Sequence, residues 1–194
     1  SNTQEGSESG DGSGEELTSL VIGQAADVSA LDPQLTSAIA SVSVYGNMFD
    51  TLTRIDEEGN VVPHIAESWE QIDENTISFK IREDVTFSNG EPLTSEDVAF
   101  TIERVVASPY VAYVLDFVDS VETPDEYTVV VHTNEAFGPI LAHFSIPYTG
   151  IVPKSEVEKD EAAFSAHPIG SGAYKLVEWK PGDYVTLEAN DSYF

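Results

Sequence analysis

The stretch from Ala66 to Val98 constrains the fold more than any other, because two strands, a tight turn and a helix start follow one another within it. Thr76-Ile77-Ser78-Phe79-Lys80-Ile81 alternates polar and apolar residues, the period of a strand with one buried face. Ser68 to Ile72 precedes it across Asp73-Glu74-Asn75, which predicts a β-hairpin with a short loop. Ser88-Asn89-Gly90 then turns the chain at a glycine free to take positive φ. Thr94-Ser95-Glu96-Asp97 supplies the hydroxyl and the later carboxylate of a capping box, so a helix begins there. Val98, Ile102, Val105 and Val106 share one face of that helix, and Ser108-Pro109 stops it.

Elsewhere the same mixture continues. Leu20 to Gly23 reads as a short buried-type strand. Thr36 to Phe49 suits a helix, although Val42 and Val44 lower its propensity. Thr51 to Ile55 reads as a strand closed by Glu57-Glu58-Gly59-Asn60. Val118 to Glu122 and Tyr127 to Val131 form a second hairpin around Thr123-Pro124-Asp125-Glu126. Phe137 to Phe144 and Ser155 to Phe164 are expected as helices. Tyr174 to Trp179 and Tyr184 to Glu188 pair across Lys180-Pro181-Gly182-Asp183, a type II turn sequence. There is no internal repeat, and the order of elements predicts an α+β (mixed α/β) chain rather than a doubly wound sheet.

Charge narrows the range of partners. The 194 residues carry 35 acids against 8 bases, a formal charge of −27. Such an excess disfavours nucleic acid, whose phosphates need Lys and Arg to displace counterions, and anionic lipid surfaces for the same reason. A hydrophobic content of 41% still permits a packed core. The balance fits a protein living in concentrated salt, where repulsion is screened and carboxylates keep the surface hydrated; the plainer reading is an ordinary acidic secreted protein. With no cysteine, disulfides, thiol catalysis and Cys-based metal sites are excluded. No apolar run is long enough to span a bilayer. Residues 1–16 hold nothing that could build a core and read as a flexible acidic tether.

Ala66, Trp69, Asp73, Thr76, Phe79, Arg82, Val85, Phe87, Asn89-Gly90, Pro92-Leu93-Thr94 and Asp97-Val98 form a set that resembles the family 5 extracellular solute-binding proteins, the peptide, nickel and oligosaccharide receptors of ABC importers. Further blocks in the same order add to it: Leu31-Asp32-Pro33, Asn47 to Leu52, Pro168 to Tyr174, Glu178 to Asp183 and Asn190 to Phe194. The resemblance implies the N-terminal lobe of a two-lobed, type II periplasmic-binding-protein-like fold, incomplete here, with the second lobe absent. Within it, 17–194 would form one lobe, with about 46–165 as an inserted subdomain and 17–45 and 166–194 sharing a core sheet. It implies a non-enzymatic receptor with no cofactor and no metal, which captures a small solute, with peptide favoured, and delivers it to ABC permease subunits. It also implies a cell-surface protein held by a lipid anchor upstream of residue 1, and the charge suggests a halophilic archaeal source.

The same resemblance sets the candidate ligand-binding residues. Thr36-Ser37-Ala38-Ile39 matches a stretch that lies along the cleft and offers backbone groups to an extended ligand; otherwise it is a solvated loop before a helix. Recognition of that kind is β-augmentation, in which main-chain hydrogen bonds give affinity. Tyr110 stands where relatives place a ligand-facing Tyr, and its alternative is a half-buried core role. Tyr148, Ser171 and Gly172 would border the same cleft. His64, His132, His143 and His167 share no metal-ligand spacing, and solvated or capping roles suit them. Adjacent acids such as Glu57-Glu58 and Glu96-Asp97 leave a hydrolase as an alternative, and acidic loops leave a structural surface module, although no calcium-loop pattern occurs. Asn190-Asp191-Ser192 is an N-glycosylation sequon.

Overall fold

In the computed structural model, which describes residues 18–136 and 138–194, the alternating segment is β4 (Thr76–Ile81), with Ile77, Phe79 and Ile81 buried and the residues between them more exposed. Its partner β3 (Ala66–Asp73) runs antiparallel, with Trp69 opposite Phe79. Asp73 pairs with Thr76, so the loop is Glu74-Asn75, one residue tighter than the sequence suggests. The Asp73 carboxylate accepts the Asn75 N–H at 2.9 Å and closes it. The second hairpin, β5 (Val118–Asp125) and β6 (Thr128–Thr133), has the same period, with Val129, Val131 and Thr133 turned inward. β6 pairs with β4, giving one antiparallel sheet of order β3-β4-β6-β5.

One helix covers that sheet. α2 (Ser95–Ala107) starts at Thr94, whose N–H donates to the Asp97 carboxylate at 2.9 Å. It buries Val98, Ile102 and Val105, whereas Val106 is 38% exposed and does not share their face. Ile77, Phe79, Ile81, Val129, Val131 and Phe144 complete the core beneath. Burying each such side chain stabilises by roughly 1.5–3 kcal/mol. An exposed pair such as Lys80–Glu67 adds little, because solvent screens it, so packing holds this layer.

A second cluster joins Val28, Leu31, Tyr45, Met48, Phe49, Val152, Val157, Phe164 and Leu176. It is framed by α1 (Ile39–Tyr45), α4 (Lys154–Lys159), α5 (Glu161–Ala166) and the hairpin β7 (Tyr174–Lys180) with β8 (Tyr184–Ala189). The short pair β1 (Thr53–Ile55) and β2 (Val61–Pro63) and the one-turn helix α3 (Ile140–His143) adjoin the first layer, with the Thr53 hydroxyl donating to the Leu141 carbonyl and Ile140 in the first cluster. Tyr148 and Ile169 pack against both clusters. Among the described residues no helix is long and apolar enough to cross a membrane. The β7–β8 turn has Gly182 at φ 79°, the left-handed position a type II turn requires; Gly90 sits likewise at φ 89°.

Several expectations are revised. Leu20 to Gly23 is not a strand; Leu20, Val21 and Ile22 are 80%, 94% and 74% exposed. An extended segment is stable only beside a partner that exchanges hydrogen bonds with it, and none pairs with it among the described residues. The helix expected over 36–49 is only Ile39–Tyr45. At its start the Thr36 hydroxyl takes the Ala38 N–H, and at its end the Asn47 amide takes the Ser43 carbonyl, so side chains compete with the backbone ladder. The single helix over 155–164 is broken at Asp160, which is extended and accepts the Ala163 N–H at 3.0 Å as cap of α5. The helix expected from Phe137 begins at Ile140; Phe137 itself, like the tether, lies outside the described residues.

Candidate ligand-binding site

Asp32 opens a turn. Its carbonyl accepts the Leu35 N–H and its carboxylate the Gln34 N–H, each at 3.1 Å, with Pro33 presetting the backbone between them. Asp32 is wholly buried, and a buried carboxylate needs a partner. Arg104 of α2 supplies it in a two-pronged pair, Nη1–Oδ1 at 2.6 Å and Nη2–Oδ2 at 2.7 Å. The same guanidinium donates to Gln34 Oε1 at 2.7 Å and Glu161 Oε1 at 2.9 Å. Burial opposes the Arg104 charge, but the hydrogen bonds and field of Asp32 outweigh it and raise the pKa, so the cation persists.

Beyond the turn, hydroxyls hold the chain in shape. Thr36 Oγ1 accepts the Ala38 N–H and meets Ser29 Oγ, both at 3.1 Å, while Ser41 Oγ accepts the Ser29 N–H at 3.1 Å. Ala38 is extended, at φ −67° and ψ 126°. Thr36 is buried; Ser37, Ala38 and Ile39 face outward, Ile39 at 85% exposure. Among the described residues the Ser37 N–H has no hydrogen-bond partner, and the Ser37 carbonyl accepts only the Tyr148 hydroxyl, at 3.3 Å.

Three tyrosines flank this segment's frame. Ser108 at the end of α2 accepts the Tyr110 N–H at 3.1 Å and donates to the Gln34 carbonyl at 2.5 Å, so Tyr110, 54% exposed, hangs from the same turn. Tyr148 is half-buried, and the Tyr113 ring stands edge-on to it at 6.4 Å. Burial raises the Tyr148 pKa, with further contributions from the hydrogen bond and field of Tyr113. The phenol therefore stays a donor. Tyr113 was missed in the sequence; its only signal is its place one helical turn after Tyr110.

Ser171 and Gly172 lie elsewhere, in a buried seam. Ser171 Oγ donates to Asp50 Oδ2 at 2.8 Å, and the other Asp50 oxygen meets His64 Nε2 at 2.9 Å. The Gly172 N–H donates to the Met48 carbonyl at 2.9 Å. A Cβ at Gly172 would stand 2.5 Å from the Asn47 carbonyl oxygen. Asn190 of the sequon is buried too, donating to the Gly172 carbonyl at 2.9 Å and accepting the Ser192 N–H. The structure thus joins 36–39 with Tyr148 directly and with Tyr110 through Ser108 and Gln34, while Ser171-Gly172 brace the strand entry behind. Among the described residues no three His, Asp or Glu are placed to hold a metal.

The profile described as bacterial extracellular solute-binding proteins, family 5, middle part, matches residues 60–194. The chain belongs to that family. Family 5 relatives include the periplasmic oligopeptide-binding protein OppA of Salmonella typhimurium, 30% identical over 200 residues, covering 90% of this chain and 36% of the relative. Among solved family 5 structures, OppA of Burkholderia pseudomallei superposes with a TM-score of 0.79 at 27% identity, over 87% of this chain and 37% of that one. The oligopeptide-binding protein AppA of Bacillus subtilis, in complex with a nonapeptide, gives a TM-score of 0.77 at 30% identity, over 89% of this chain and 36% of that one. The mixed α/β fold expected from the sequence is the one these proteins share. The chain spans a little over a third of the length of the curated relatives it matches.

Proposed function

We propose that this chain contributes the peptide-binding face of a solute receptor that serves an ABC importer. The observation that carries the reading is Ser37: an outward-facing residue beside extended Ala38, whose N–H has no partner among the described residues and whose carbonyl accepts only the Tyr148 phenol among them. An extended peptide can add to such a segment as a further strand, bonding backbone to backbone without reading side chains. Tyr110, Tyr113 and Tyr148 offer ring faces and hydroxyls beside it, suited to a ligand both apolar and polar. The names of the oligopeptide-binding relatives support peptide as the solute. No step of bond breaking is assigned to these residues; they bind.

Delivery to permease subunits outside the cell, from a lipid-tethered position, completes the proposed role. Working in concentrated salt is part of it, supported by the 27-charge acidic excess (35 minus 8).

Calorimetric titration with trialanine and with its backbone N-methylated analogue tests the peptide reading. Trialanine should give saturable heat and the methylated analogue a much weaker response. Equal responses, or none to trialanine or tetraalanine at millimolar concentration, would contradict it.

A further inference from the structure

Gln34 follows a turn proline and is wholly buried, an unusual place for a side chain with two donors and an acceptor. Every polar group on it is engaged. Its N–H donates to Asp32 Oδ1 at 3.1 Å, and its carbonyl accepts the Ser108 hydroxyl at 2.5 Å. Its side-chain nitrogen donates to the Tyr148 carbonyl at 2.8 Å and the Gly150 carbonyl at 3.1 Å. Its side-chain oxygen accepts from Arg104 at 2.7 Å. Reversing the amide would set oxygen against two carbonyls and NH2 against a guanidinium, so only one orientation satisfies the network.

These five bonds lead toward three outward pieces of the site, Ser37, Tyr110 and Tyr148. Ser37 lies three residues along the chain. Tyr110 is tied through Ser108, whose oxygen also accepts the Tyr110 N–H. Tyr148 is held through its own carbonyl, and its hydroxyl in turn reaches Ser37. Groups more than 70 residues away in sequence thus meet at one buried residue, Ser108 on its main-chain carbonyl and Tyr148 on its side-chain amide. A buried network holds its members in place only while it is fully satisfied, because an orphaned donor or acceptor favours rearrangement.

We propose that the Gln34 side chain is the positioning group of the site, fixing Tyr148 relative to the 36–39 segment without touching ligand, while the Gln34 main-chain carbonyl holds Tyr110 through Ser108; this rests on the peptide-binding reading above. Gln34→Met keeps the volume and removes all the side chain's hydrogen bonds. Gln34→Glu keeps the Arg104 acceptor but turns an oxygen toward the Tyr148 and Gly150 carbonyls, releasing only that leg.

The test uses ring-labelled tyrosine NMR together with trialanine titration of the same samples. In Q34M the Tyr148 ring signal should move, while that of Tyr110, whose leg runs through the Gln34 main-chain carbonyl, and those of Tyr127 and Tyr184 stay. Trialanine affinity should fall about tenfold, the worth of one to two neutral hydrogen bonds. In Q34E the Tyr148 signal should move more than that of Tyr110. Ser108→Ala, which cuts the main-chain leg, should move Tyr110 and leave Tyr148, and Q34E holds the test open should Q34M fail to fold. An unmoved Tyr148 signal, or a moved one with wild-type affinity, would overturn the positioning role. Moved signals in a protein whose wild type ignores trialanine would overturn the peptide reading alone.

Discussion

The Gln34 side-chain amide donates to the Tyr148 carbonyl at 2.8 Å, joining residues 114 positions apart. Beside it Arg104 closes on Asp32 with both prongs of its guanidinium. Together these contacts tie the first turn of the described chain to α2 and to the loop before Ile151, so the placing of Tyr148 beside the 36–39 segment depends on buried side chains.

Arg104→Met should therefore be severely destabilising. It leaves the fully buried Asp32 carboxylate without its cation, and breaking a buried pair from one side costs about 3–5 kcal/mol. Replacing both partners, Asp32→Asn with Arg104→Met, should cost less than Arg104→Met alone. Urea unfolding of the three proteins checks this; a double variant weaker than both singles would contradict it.

The seam behind the site yields a second expectation. Asn190 is buried with its amide on the Gly172 carbonyl, so the sequon should stay unmodified in a glycosylating host, as intact mass would show. Asn190→Ala should cost about 1–3 kcal/mol by orphaning buried partners. Gly172→Ala should also cost about 1–3 kcal/mol, through overpacking against the Asn47-Met48 backbone. A glycosylated, normally folded product would refute the placement of Asn190.

Asp97 gives a pH dependence. Burial raises its pKa above 3.8, opposed by hydrogen bonds from the Thr94 and Lys154 N–H groups. The folded state then holds this proton more tightly than the unfolded chain does. Between 3.8 and the raised value the group's contribution to stability falls as pH rises, and above both it is a constant cost. Asp97→Asn removes that slope while orphaning one backbone donor, at about 1–2 kcal/mol. Unfolding free energies from about pH 3 to about pH 6 should show the wild type losing ground against the variant, by linkage. Parallel curves would refute it.

Salt should stabilise the chain. A charge of −27 repels itself over about 10 Å at 0.1 M salt and only about 3 Å at 1 M. The melting temperature should rise steeply between low and molar potassium chloride, and a flat response would remove the case for a saline habitat.

Much of the fold is legible in the sequence where the signal is local. The period of two in Thr76–Ile81 and Thr128–Thr133 sets which face of the sheet is buried, and the Thr94–Asp97 pattern marks a helix start. Leu20-Val21-Ile22 has equally good strand residues but no paired neighbour among the described residues; strandness there depends on distant chain. Asp160 broke a helix because its carboxylate suits a cap better than an interior position. The candidate residues part company in the fold. The outward 36–39 segment and Tyr148 do come together, while Ser171 and Gly172 turn inward through contacts with Asp50 and Met48 that no spacing reveals. Gln34 carried no local signal at all. Arg104 did carry one: among only 8 bases in 194 residues, an arginine on α2 beside the buried row of Val98, Ile102 and Val105 asks for a buried acid.

The Ser37 amide resonance during titration with trialanine tests the central claim most directly. A saturable downfield shift of the Ser37 N–H is expected as it gains a hydrogen-bond partner, with the Tyr148 hydroxyl contact loosening in step. A Ser37 amide that stays fixed while trialanine binds elsewhere, or while nothing binds, would contradict it.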